Sequence, residues 1–161
     1  MDKIVVGIDG SENSLAALRW ALDLAERAAV PVDAVSVWEQ PVNYGAVPPV
    51  GAPAMTYGAM TTEPDEEVRH AIRDEARQTL ANALRACGAE GRSVEVRTHD
   101  VEGHAGPVLT DMAREHDLLV VGRSGHGALL GMLMGSVAQH VAGHSTCPVV
   151  TVPGARAAAG S

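Results

Sequence analysis

Aromatic side chains are almost absent from this chain of 161 residues: there is no Phe, and two Trp and two Tyr bring the aromatic share to 2%. The core must therefore be aliphatic, built from Val, Leu, Ile, Met and Ala. A surface that stacks successive bases of single-stranded nucleic acid on aromatic rings is excluded. Cysteine is scarce too. Cys87 and Cys147 lie far apart and form no CxxC pair, which reads as two reduced, buried small hydrophobes rather than a disulfide or a metal clip. Positive charge is in deficit. Twelve Lys and Arg against 20 Asp and Glu leave a formal charge of −8, which argues against nucleic-acid backbones and anionic membranes as general partners. No apolar run approaches the ~18 residues of a membrane span. Met1-Asp2-Lys3-Ile4-Val5-Val6 lacks the basic segment and longer apolar core of a signal peptide, and a cytoplasmic protein is expected.

What remains is globular: 46% hydrophobic and 20% charged residues can bury a core in one domain, expected over 1–153. Ile4-Val5-Val6-Gly7-Ile8 is a continuous apolar run, as in strands buried on both faces. Ser11 can cap a helix over 12–29, whose Leu15, Leu18, Ala21, Leu22 and Ala25 recur at helical spacing and which Pro31 stops. Residues 32–38 read as a second strand. A Pro- and Gly-rich loop then fills 40–64, either a tolerated insertion or a lid or partner surface. Thr62-Glu63-Pro64-Asp65 opens a second helix that runs to Gly88. Ser93 to Thr98 alternates, as a half-exposed strand near a sheet edge would, and a short helix is expected over 106–115. Asp117 to Val121 is a fourth buried strand. A glycine-rich stretch covers 122–135, a helix follows to about 143, and 147–152 is a fifth strand. The tail 154–161 is expected to be disordered. Regular alternation of strand and helix predicts a five-stranded parallel sheet in a three-layer α/β/α sandwich. Ligands of such sheets bind beyond the carboxyl ends of the strands, where the strand order reverses.

The strand at 117–121 runs into Gly122-Arg123-Ser124-Gly125-His126-Gly127 and, further on, Gly135-Ser136 at a helix start. Strand, glycine loop and helix N-terminus form an arrangement that cradles phosphate: glycines let the backbone approach an anion, and the helix amides point at it. There is no Gly-Lys-Ser/Thr, hence no P-loop lysine. Arg123 is the one cation in this loop besides a protonated His126, which can contact phosphate or simply tolerate an unusual loop conformation. Ser136 can cap the helix or donate to a phosphate oxygen. Asp9, ending the first strand, offers one carboxylate that can help hold Mg²⁺.

Gly122, two residues, Gly125, nine residues, Gly135-Ser136 is similar to the nucleotide-binding signature of universal stress proteins. The resemblance extends over residues 2–153 and includes Ile4 to Ser11, Val120 to Gly127, and Gly135-Ser136-Val137-Ala138 through Cys147-Pro148-Val149. It implies an adenine nucleotide alpha hydrolase-like fold with strand order 3-2-1-4-5, binding ATP. It further implies that Gly122, Gly125, Gly135, Ser136 and Val137 line the ribose and phosphates. Asp9 would then lie near adenine and ribose, and the backbone of Val37 would meet the adenine edge. Trp38 flanks Val37 on the opposite strand face, where a packing role is favoured over a place at the site. A homodimer through the fifth strand, Val149-Val150-Thr151-Val152, is implied as well, together with an unidentified regulatory partner.

Metal and hydrolytic chemistry find less support. His140 and His144 have helical i, i+4 spacing with Cys147 beyond, but no Glu completes HExxH and no fourth ligand is evident. No catalytic triad can be read from spacing. The expected role is a stress-response regulator in which ATP is a conformational ligand. A slow ATPase or nucleotidyl- or phosphoryl-transferase is the first alternative, and a nucleotide-independent dimeric adaptor the second.

Overall fold

A computed structural model describes residues 1–40, 66–125 and 133–154. The 40–64 loop beyond Gln40, the expected helix start at 62–65, His126 and the tail beyond Gly154 lie outside the described residues. In chain order the elements are β1 (Ile4–Gly7), α1 (Glu12–Ala28), β2 (Val32–Trp38) and α2 (Glu66–Ala86). A 3₁₀ turn (Ala89–Gly91) follows, then β3 (Val96–Glu102), α3 (Ala105–Met112), β4 (Leu118–Gly122), α4 (Ser136–His144) and β5 (Val149–Val152). All pairings are parallel, and the sheet order is β3-β2-β1-β4-β5.

The alternation of side chains along the buried strands creates two cores. Ile4, Val6, Ile8, Val32, Ala34, Leu118 and Val120 face α1 and α2. Val5, Val35, Leu119 and Val121 face α3 and α4. Each fully buried Val, Leu or Ile contributes roughly 1.5–3 kcal/mol, so an aliphatic core holds the three layers without aromatic bulk. Cys87 and Cys147 are free and buried, one in each core. Burial pushes both thiols above their ordinary values. Trp38 is buried, 8% exposed. Among the described residues no helix is long and apolar enough to cross a membrane.

Three local features differ from the sequence reading. β3 is displaced towards the C-terminus of 93–98, because it pairs along the whole of β2, Val32 with Val96 through Trp38 with Glu102. α3 ends at Met112 rather than 115. α1 ends at Ala28, one residue short of the expected 12–29, with Ala29 in the left-handed conformation at φ 52° and its N–H bonded to the Ala25 carbonyl.

Candidate functional site

β1 lies between β2 and β4, so strand order reverses at its end. A cavity of about 290 Å³ opens there. Segments from both faces of the sheet's end form it. Gly7, Ile8, Asp9 and Ser11 come from the β1 end, Val35 and Val37 from β2, and Val121, Gly122, Ser124 and Gly125 from β4 and its loop. Ala105 and Leu109 of α3 and Gly135 to Ala138 of α4 close the other side.

The β1 end is a hydrogen-bonded corner. Gly10 takes φ +82°, and the chain reverses into α1. Asp9 Oδ1 accepts from Ser11 N at 2.9 Å and from Ser11 Oγ at 2.6 Å. Ser11 Oγ in turn accepts from Ser14 N at 3.2 Å, capping α1, and Ser14 Oγ donates to the Ser11 carbonyl at 2.9 Å. Asp9 is thereby fixed at the cavity rim, and its other oxygen sits where a side chain on Gly125 would be. Gly122 is equally constrained: a Cβ there would come within 2.8 Å of the Asn13 backbone carbon and 2.9 Å of Ser14 N. Glycine at 122 lets the end of β4 press against the first turn of α1, and glycine at 125 lets its loop press against Asp9.

The loop is closed at its far end. Gly135 N donates to the Arg123 carbonyl at 2.8 Å, and Arg123 N donates to the Val152 carbonyl at 2.8 Å. Gly135 is the N-cap of α4, with no side-chain cap. Ser136 therefore does not cap; it stands at the first helical position, and its hydroxyl is not committed to the helix end. Gly135 to Ala138, at the positive end of α4, line the cavity.

Val37 lines the cavity at the end of β2. The last β1–β2 rung is Ile8 N donating to the Val35 carbonyl, at 2.8 Å. Parallel strands present alternate residues to alternate neighbours. Val37, two residues beyond Val35, therefore directs its N–H and C=O to the same side, past the last rung, where β1 has turned away.

Of the residues singled out from the sequence, Asp9, Val37, Gly122, Gly125, Gly135, Ser136 and Val137 meet at this cavity. Arg123 is exposed and absent from its lining; its backbone, not its guanidinium, serves the loop. Trp38 is likewise not a lining residue. Sequence reasoning missed Ser124, the Ser11 and Ser14 corner, and the α3 wall of Ala105 and Leu109. Ser124 carried a signal, since it lies inside the glycine loop; α3 carried none. His140 and His144 stack at 4.3 Å between centroids, and His144 Nδ1 donates to the His140 carbonyl at 2.9 Å. Among the described residues no three His, Cys, Asp or Glu are grouped to hold a metal.

The model of the Universal stress protein family matches residues 1–153. A universal stress protein of Mycobacterium tuberculosis (strain ATCC 25618 / H37Rv) is 32% identical over 152 residues, 94% of this chain and 48% of its own. One of Mycolicibacterium smegmatis is 34% identical over 151 residues, 92% of this chain and 45% of its own. The chain spans about half the length of these curated relatives. Among solved structures, the universal stress protein UspA from Lactobacillus plantarum superposes with TM-score 0.70 at 22% identity, covering 94% of this chain and 97% of that one. A universal stress protein in complex with cAMP gives TM-score 0.56 at 25% identity, covering 94% and 96%.

Proposed function

The chain belongs to the universal stress protein family, and from that premise we propose that it is an adenine-nucleotide-binding stress-response regulator of the cytoplasm. Its single family domain spans 1–153, and bound ATP is a conformational ligand rather than a substrate. The observation that carries this reading is the meeting of Gly122, Gly125, the α4 N-terminus and Asp9 at one cavity. Glycine amides and the helix start suit phosphate without any net positive charge. Val35, Leu109 and Val121 offer aliphatic walls to the adenine ring. The Val37 backbone offers a donor and an acceptor, matching the acceptor and donor on the adenine edge. The cAMP complex of a relative 25% identical supports the adenine-nucleotide class.

Asp9, the one carboxylate lining the cavity among the described residues, suits a Mg²⁺ ion held otherwise by phosphate oxygens and water. No Lys or Arg lines the cavity among those residues. Phosphoryl transfer ordinarily needs such a cation for the developing charge, which favours ligand over substrate. We place the chain in a homodimer paired through the outer edge of β5, with a regulatory protein reading the nucleotide state.

Mass analysis of nucleotide released from freshly purified protein, followed by calorimetry of the stripped protein with ATP and cAMP, tests this. ATP is expected to bind, and Asp9→Ala and Gly135→Ala to weaken it with the circular dichroism spectrum retained. No measurable ATP affinity sinks the reading. Tighter binding of cAMP transfers it to a cyclic monophosphate.

A further inference from the structure

Asn13 lies in the first turn of α1, outside the lining of the cavity, and its side chain joins two distant segments. Its Nδ2 donates to Ser124 Oγ at 2.6 Å, in the β4 loop. Its Oδ1 accepts from Gly154 N, just past β5. The Gly154 amide can only donate, so the Asn13 oxygen must face it, and the Asn13 nitrogen must face Ser124. The amide has no freedom to flip.

This orientation has a chemical result. Ser124 Oγ receives a hydrogen bond on a lone pair, so its own proton is left for another acceptor. Ser124 lines the cavity. We propose that Asn13 is a positioning residue that makes Ser124 a hydrogen-bond donor to a phosphate oxygen of the bound nucleotide, a deepening that rests on the nucleotide reading above. A carboxylate in place of the amide would reverse the polarity. It would keep the Gly154 bond, but it would take the Ser124 proton for itself and add negative charge beside the anion. The approach of Gly122 to the Asn13 backbone, described above, holds the donor in place.

The test compares wild type, Asn13→Asp, Ser124→Ala and the double variant by calorimetry with magnesium ATP and with adenosine, which has no phosphate. Each single change should weaken ATP by about tenfold or more, the scale of a hydrogen bond to a charged group. Adenosine affinity should stay unchanged, and in the double variant the Asn13→Asp change should cost less on top of Ser124→Ala than it costs alone, because only the repulsion by the added charge remains. As pH falls, the introduced carboxyl protonates and can donate as the amide does, so the ratio of wild-type to Asn13→Asp affinity should narrow. ATP binding by Asn13→Asp or by Ser124→Ala at wild-type strength overturns the inference and leaves the nucleotide reading intact. Equal loss of ATP and adenosine also overturns it, because that marks a purely structural role. If Asn13→Asp does not fold, Ser124→Ala alone decides. Wild type that binds neither ligand removes both readings together.

Discussion

Asp33 is 3% exposed in a strand otherwise made mostly of small and aliphatic residues. Lys3 Nζ lies 2.7 Å from one of its oxygens and His99 Nε2 lies 3.4 Å from the other. Burial pushes the Asp33 carboxyl up, but the Lys3 hydrogen bond and the charges of Lys3 and His99 outweigh it and hold the group below the usual carboxylate range. A carboxyl whose folded value is depressed contributes stability that is full above its unfolded value and is lost as pH falls through the folded value. Denaturant unfolding should therefore show wild type losing stability below about pH 4 more steeply than Asp33→Asn. Near neutrality Asp33→Asn should cost about 1–3 kcal/mol, because Lys3 and His99 lose their charged partner. Parallel pH profiles for the two proteins would refute this role. Nothing in the sequence marks Asp33, since one acid in an apolar run reads as exposed. The same holds for Asn13, whose bond to Ser124 spans 111 positions. Asp9, Gly122, Gly125 and Gly135 were legible because strand–loop–helix order places them at the strand ends by itself.

Elements were most legible where local pattern and pairing agree. β2 occupies the expected 32–38, and α1 follows its apolar stripe from the Ser11 cap. β3 was read too early because its limits are set by its partner: His99 and Asp100 are poor strand formers carried in by register with Val35 and Ser36. The end of α1 shows the opposite tension. Ala29 is exposed and takes the left-handed conformation at φ 52°, which costs an L-residue roughly 1–2 kcal/mol. Ala29→Gly removes that strain and gives back part of the gain as unfolded-chain entropy. It should raise stability by about 0.5–1 kcal/mol, seen as a higher midpoint in thermal unfolding. An unchanged or lower midpoint would show that the strain is absent.

At the scale of the whole molecule, the sheet places the cavity at the carboxyl ends of the inner strands and leaves β3 and β5 as edges. The two edges differ in character. β3 is lined with charge, Arg97 and Glu102 being exposed along it, whereas β5 is Val-Val-Thr-Val and half-buried throughout. A bare apolar edge is a template for another chain. The ladder fixes which backbone groups remain: Leu119 N donates to the Pro148 carbonyl and Arg123 N to the Val152 carbonyl, so residues 148, 150 and 152 face β4 while Val149 and Thr151 face outward. Val150 also packs against the α1 core, so a charge there would disturb the fold together with the edge. Thr151→Pro is the cleaner probe. It removes an outward N–H and sets a ring against any pairing strand, while the inward rungs to β4 stay intact. Pairing through β5 predicts that this variant self-associates roughly tenfold or more weakly, sedimenting as a monomer at concentrations where wild type is a dimer and keeping its helix signal. A Thr151→Pro protein that remains dimeric would move the interface away from β5.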